Sequence, residues 1–197
     1  MNSSKKKANL CKFFIIFVGM VLFASCNPKE QVRQTNDEIK TVIGFSMATF
    51  KEDRWLQDRD IFIAKAKQER FEVIVKNANN DSTLQSEQVN DMIASGIDIL
   101  VIVPQDSEKA ASCVNAAKKA GIPVVSYDRL VRDANVDVYV SFDNVKVGQV
   151  AAEALVEAVP EGEYIILNGA ENDNNSKMFN AGYMSVLNKL ENRNRIK

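Results

Sequence analysis

The chain reads as an α/β protein built on a parallel sheet flanked by helices, and three observations carry that reading. Apolar runs at Thr41–Ser46, Phe71–Val75, Ile97–Val103 and Pro123–Tyr127 recur every 26 to 30 residues. A stretch of helical period lies between consecutive runs, and a strand, helix and strand in about 30 residues make one right-handed crossover with parallel strands. Ile99–Val103 is an unbroken apolar run without alternation, the pattern of a strand covered on both faces.

Residues 1–25 stand outside that fold. Lys5, Lys6, Lys7 and Lys12 form a positive start, and Phe13–Phe23 is an apolar stretch of 11 residues. Those are the proportions of a signal peptide rather than of a bilayer span. The stretch ends in Phe23-Ala24-Ser25-Cys26, small residues before a cysteine, as in a lipoprotein cleavage box that makes Cys26 the lipidated first residue. An ordinary secretory signal with an incidental cysteine is the alternative, and either one exports the chain. Residues 26–40 follow as a flexible tether, since Gln31–Lys40 is polar without an apolar period.

The first strand leads into Lys51-Glu52-Asp53-Arg54-Trp55, and a helix is expected from Arg54 to Gln68, with Trp55, Ile61 and Phe62 on its apolar side. Asn77-Ala78-Asn79-Asn80-Asp81 ends the second strand. The next helix starts at Ser82, where Gln85 three residues on suggests a capping box, and stops at Gly96. Pro104-Gln105-Asp106 ends the third strand, and its helix begins after Asp106 or Ser107, buries Ala110, Ala111, Val114 and Ala117, and stops at Gly121. Asp128-Arg129 ends the fourth. A fifth strand, Val138–Phe142, precedes a helix from Val145 to Val159; a sixth, Tyr164–Leu167, precedes a polar loop and an amphipathic helix through Leu190. Because parallel strands point one way, their polar endings collect along one edge, where open α/β sheets hold ligands.

Composition narrows the chemistry. Removal of residues 1–25 takes four lysines and no acid, moving the net charge from −1 to −5 over the remaining 172 of 197 residues. No basic cluster is left to track phosphates, so nucleic acid is not expected as a partner. The chain has no histidine, which closes histidine acid–base chemistry and histidine metal sites. No phosphate-cradling glycine loop and no nucleophile with a base beside it can be assembled, so the expectation is a non-enzyme without cofactor or metal. Cys113 lies among Ala110, Ala111, Val114 and Ala117 and reads as a small core residue.

Several segments carry a family resemblance. Ile43-Gly44-Phe45-Ser46-Met47, Glu52-Asp53-Arg54-Trp55, Asp58-Arg59-Asp60-Ile61-Phe62 and Ser126-Tyr127-Asp128-Arg129 resemble the type I periplasmic sugar-binding proteins, those that bind D-xylose above all. Val140-Ser141-Phe142-Asp143-Asn144, Val147-Gly148 and Asp173-Asn174-Asn175 continue the match, which runs from about Val42 to Lys197. The resemblance implies two α/β lobes with the sugar between them. Residues 41–140 would be the N-terminal lobe, 141–144 the first crossing and 145–197 an incomplete C-terminal lobe. Family members continue for about as long again, so the chain is expected to be truncated; a compact domain that ends here is the alternative.

A sugar offers hydroxyls that both donate and accept, and C–H faces. Its recognition calls for planar charged groups that bond two hydroxyls at once and for an aromatic wall. The residues that fit, on their own chemistry and on the resemblance, are Arg54, Asp128, Arg129, Asp173 and Asn175, with Trp55 as either a stacking wall or a core anchor. Asp128 and Arg129 have a second reading as an internal ion pair that shapes their loop. Asp143 and Asn144 read as crossing and helix-cap residues, and Asn77, Asn79 and Asn80 as turns at the crevice rim. The function implied is an exported, lipid-anchored receptor for a xylose-like monosaccharide in the periplasm, feeding the permease of an ABC importer. A sensor for a membrane receptor kinase, or a remnant that binds nothing, are the other readings.

Overall fold

The computed structural model describes residues 40–191. The expected signal peptide, the expected lipidation site Cys26, nearly all of the expected tether and the last six residues lie outside the described residues. Strands β1 (Val42–Met47), β2 (Glu72–Asn77), β3 (Ile99–Ile102), β4 (Val124–Tyr127) and β5 (Val138–Val140) form one sheet in the order β2-β1-β3-β4-β5. All four pairings are parallel. Helices α1 (Asp53–Gln68), α2 (Ser82–Ala94) and α3 (Ala111–Lys119) make the crossovers. The strand order reverses between β1 and β3, the place where such sheets open a crevice at their carboxyl ends.

Alternation along each strand divides the core between the two faces. Phe45, Met47, Val101 and Val103 meet Trp55 and Phe62 of α1 on one side. Leu100, Ile102 and Val124 meet Val89, Met92, Cys113, Val114 and Ala117 of α2 and α3 on the other. Cys113 is thus a core residue, and burial pushes its thiol pKa up.

Three local expectations change. No capping box forms on α2: Asp81 is the cap, accepting from the N–H groups of Thr83 and Leu84. Gln85 is instead buried, donating to Ser46 Oγ (3.1 Å) and Val103 O (2.9 Å) while its Oε1 accepts from Gln105 N–H (2.9 Å). An amide tying two strands and a loop in a dry interior outweighs one more contact at a helix end that Asp81 already satisfies. Next, Asp106 Oδ1 accepts from the N–H groups of Glu108 and Lys109, and the turn so formed delays α3 to Ala111. Lastly, Tyr164–Leu167 forms no strand, because the sheet ends at β5 and among the described residues no strand lies alongside to pair with it.

Beyond the sheet, α4 (Asn144–Ala158) and α5 (Asn174–Glu191) pack closely on each other. A Cβ on Gly148 would run into the Phe179 carbonyl, and one on Gly182 into the Val145 carbonyl. These two glycines let the backbones touch. Ala152 and Leu187 form a small buried cluster between the helices.

Candidate functional site

The parallel register delivers Arg54, in the first turn of α1 after β1, and Asp128 and Arg129, at the end of β4, to the same sheet edge. The first turns of α4 and α5 face them. A cavity of about 230 Å³ lies between, and Arg54, Trp55, Asp128, Arg129, Asp173 and Asn175 all line it. Phe142, Asn144, Val147, Ser176 and Phe179 complete the lining. A larger cavity of about 540 Å³ runs along Asp106, Glu108 and the 168–172 loop. It presents carboxylates and amides but neither an arginine nor an aromatic wall, so the smaller cavity has the chemistry of a recognition site.

Asp128 is the centre of the arrangement. It is 6% exposed, and one carboxylate oxygen pairs with Arg54 Nη2. The other accepts from Asn175 Nδ2 at 3.1 Å. Its backbone sits at φ 61°, in the left-handed region, and Arg129 N–H reaches back to Tyr127 O at 2.7 Å to close a three-residue turn around it. The Asp128 carbonyl accepts from Ser141 Oγ (2.6 Å), Asn175 Nδ2 (3.2 Å) and Tyr139 Oη (3.3 Å). A non-glycine residue in that conformation costs on the order of 1–3 kcal/mol and persists only when its surroundings over-determine it. Here those donors and the ion pair do so.

Arg129 turns away from Asp128. Its Nε meets Asp173 Oδ2 at 3.0 Å, across the cavity. The adjacent Asp128–Arg129 pair is therefore not an internal ion pair; each residue binds a separate partner. Arg54 is also held by Asp58, whose Oδ2 lies 3.5 Å from Nε and accepts from Tyr127 Oη at 3.0 Å. Burial works against the Arg54 charge, but the hydrogen bond and charge of Asp128 outweigh it and hold the guanidinium pKa above its ordinary value. Burial, with the Asp58 hydrogen bond adding, pushes the Tyr127 phenol up.

Of its two expectations, Trp55 takes that of core anchor. It is 5% exposed and packed in the core beside Phe45 and Val103, so it is an anchor. Its ring also carries the guanidinium groups of Arg54 (4.7 Å) and Arg129 (5.4 Å), a cation–π stack that sets both arginines at the cavity wall. Asn79 and Asn80 form a left-handed turn, with Asn79 N–H bonded to Asn77 Oδ1, and do not reach the cavity. Asp143 caps α4 through Lys146 N–H. Sequence reasoning did not place Phe142, Asn144, Val147, Ser176 or Phe179 at the site. The signal for two of them was helical spacing: Phe179 is one turn beyond Asn175, and Val147 one turn beyond Asn144.

Comparison with known proteins bears on the family and the fold. A sequence model described as periplasmic binding protein domain matches residues 43–197. The D-xylose-binding periplasmic proteins of Escherichia coli and Haemophilus influenzae are 44% and 45% identical to the chain, over 74% and 75% of it and 44% and 45% of their own lengths. The chain thus spans about half the length of the curated relatives it matches. Among solved structures, a solute-binding protein from Clostridium phytofermentans with bound β-D-glucose superposes with a TM-score of 0.75 at 31% identity, covering 79% of this chain and 50% of that one. A carbohydrate transporter solute-binding protein from Chloroflexus aurantiacus in complex with D-glucose gives 0.72 at 35% identity, covering 79% and 46%.

Proposed function

This chain belongs to the family of periplasmic binding protein domains, and we propose that its crevice is part of a monosaccharide site with a xylose-like pentose as ligand. Two D-xylose-binding relatives at 44% and 45% identity support the choice of sugar. The observation that carries the reading is the convergence of two arginines, two aspartates and two asparagines on one small cavity floored by an indole. Carboxylates accept from sugar hydroxyls and guanidinium groups donate in a plane, while the Asn175 amide holds the Asp128 carboxylate in place. A cavity of about 230 Å³ lies below the roughly 300–1,000 Å³ of drug-sized pockets, a scale that favours one sugar ring.

Arg54 pairs with Asp128, and likewise Arg129 with Asp173. A bound sugar takes up their unused donors and lone pairs, and a ring lacking a required hydroxyl leaves one of these groups unpaired at a cost of about 1–3 kcal/mol. In this reading residues 41–140 form one lobe, residues 141–144 a crossing and residues 145–197 the opening of a second. The lobes close on the ligand, and the closed form is what an ABC importer permease recognises. The chain serves as an exported, non-enzymatic receptor in the periplasm, anchored through a lipid on Cys26.

The chain's only tryptophan, Trp55, reports on the site directly. Titration with D-xylose, D-ribose, D-glucose and arabinose, by calorimetry and Trp55 emission, is run on the chain alone and mixed with a polypeptide supplying the second half of a relative. The expected result is a saturable signal in at least the mixed sample, strongest for xylose. Silence with every sugar in both samples overturns the reading.

A further inference from the structure

Asn144 opens helix α4, a position at which a side chain ordinarily meets water, yet it is 3% exposed. It is not needed as a cap, since Asp143 already accepts from Lys146 N–H. Its Nδ2 instead has two targets, Asn175 Oδ1 at 3.1 Å and Ser141 Oγ at 3.2 Å. Each target passes the polarity on toward the same residue. Ser141 gives its own hydrogen to the Asp128 carbonyl, and Asn175 turns its Nδ2 to the carbonyl and carboxylate of Asp128.

The ring Asn144, Ser141, Asp128, Asn175 is therefore directional: every hydrogen in it points toward Asp128. An amide has one donating and one accepting end, and burial makes a wrong assignment costly. Turned over, Asn175 would aim its oxygen at a carboxylate and a carbonyl. What forbids that is a donor on its Oδ1, and Asn144 supplies it. The same NH₂ group holds the Ser141 hydroxyl in the orientation that donates to Asp128.

We propose that Asn144 is a positioning residue of the crevice, whose two amide hydrogens set the orientation of Asn175 and Ser141 and through them fix the Asp128 carboxylate. Its consequence for ligand binding rests on the reading of the cavity as a sugar site; the positioning itself does not. With Arg54 on one oxygen and Asn175 on the other, the remaining lone pairs of Asp128 are presented in one fixed plane.

The test compares the full chain with Asn144→Asp, which keeps the shape and loses both hydrogens, and with Asn144→Ala, which loses them without adding a charge. Thermal melting identifies the folded variants. In NMR spectra the Asn175 side-chain amide pair and the Asp128 carboxyl carbon are expected to move in whichever variant folds, and resonances unchanged from the wild type overturn the proposal. Where sugar binding is measurable, Asn144→Ala is expected to weaken it about tenfold, the scale of one lost buried hydrogen bond. The triple variant Asn144→Ala, Asn175→Ala, Ser141→Ala should bind like the double variant Asn175→Ala, Ser141→Ala; a further tenfold loss means that Asn144 acts by another route and overturns the proposal. A wild-type chain that binds no sugar while its resonances respond to the substitutions removes the sugar reading and leaves the positioning role standing.

Discussion

Asp128 shows how one residue joins fold to site. The last bonds of β4 to β5 bring its N–H to Val140 O at 2.8 Å, and the left-handed turn then swings its carboxylate out of the sheet edge and into the cavity. Behind it stands a second layer in which Tyr127 Oη donates to Asp58 and Asp58 steadies Arg54. That layer makes a pH prediction with a definite sign. The Tyr127 phenol has its folded pKa raised above the ordinary 10.0, so its contribution is complete below pH 10 and is lost as pH rises through the folded value. The melting temperature should therefore fall more steeply above pH 10 in the wild type than in Tyr127→Phe, the two curves running parallel below it. Parallel curves throughout would mean that the phenol titrates alike in both states. Since Tyr127 is only half-buried, the effect is expected to be a fraction of what a fully desolvated phenol would give.

At the scale of elements, the informative contact is the crossing of α4 and α5, because it sets the wall that carries Asn144, Asp173 and Asn175. Glycine inside an exposed helix is a defect, and replacing it with alanine ordinarily stabilises by about 0.5–1 kcal/mol. Gly148 should reverse that sign. A methyl group there meets the Phe179 carbonyl, backbone that can yield only by separating the helices. Gly148→Ala is expected to destabilise by about 1–3 kcal/mol, the usual cost of overpacking, read as a lower urea midpoint with an unchanged slope. A neutral or stabilising result would show that the helices lie farther apart than described. The contrast with what the sequence revealed is instructive. Apolar runs spaced 26 to 30 residues apart identify β1 to β4 and their direction because each crossover is a local, repeated object. Gln85 resisted the same reasoning, since a polar residue one turn into a helix looks like capping chemistry until Ser46 and Val103, distant in sequence, are seen around it. Asn144 was legible as a helix start, but its inward turn depends on Asn175, 31 residues away.

Over the whole molecule, the sheet and the α4–α5 pair differ in how much of their apolar surface is covered. Every strand from β1 to β4 contributes to a core on both faces. The segment after α4 has the composition of a strand of that kind and no strand beside it among the described residues: Ile165 and Leu167 are 88% and 90% exposed, and Leu155, which lines a cavity with them, is exposed too. A strand is defined by its partners, and the reading of Tyr164–Leu167 as one rested on composition, which does not supply them. An apolar face of this extent marks a surface built to be covered. If further strands and helices of a second lobe cover it, as the length of the relatives suggests, two measurements on the chain should diverge. The double substitution Ile165→Ser, Leu167→Ser, at side chains already in water, should change the stability of the chain alone by less than about 0.5 kcal/mol. It should also reduce the binding of a hydrophobic dye and abolish association with a polypeptide carrying the second half of a relative, which would bury both residues. A core-sized loss of stability in the isolated chain would instead mean that Ile165 and Leu167 already pack against something within it.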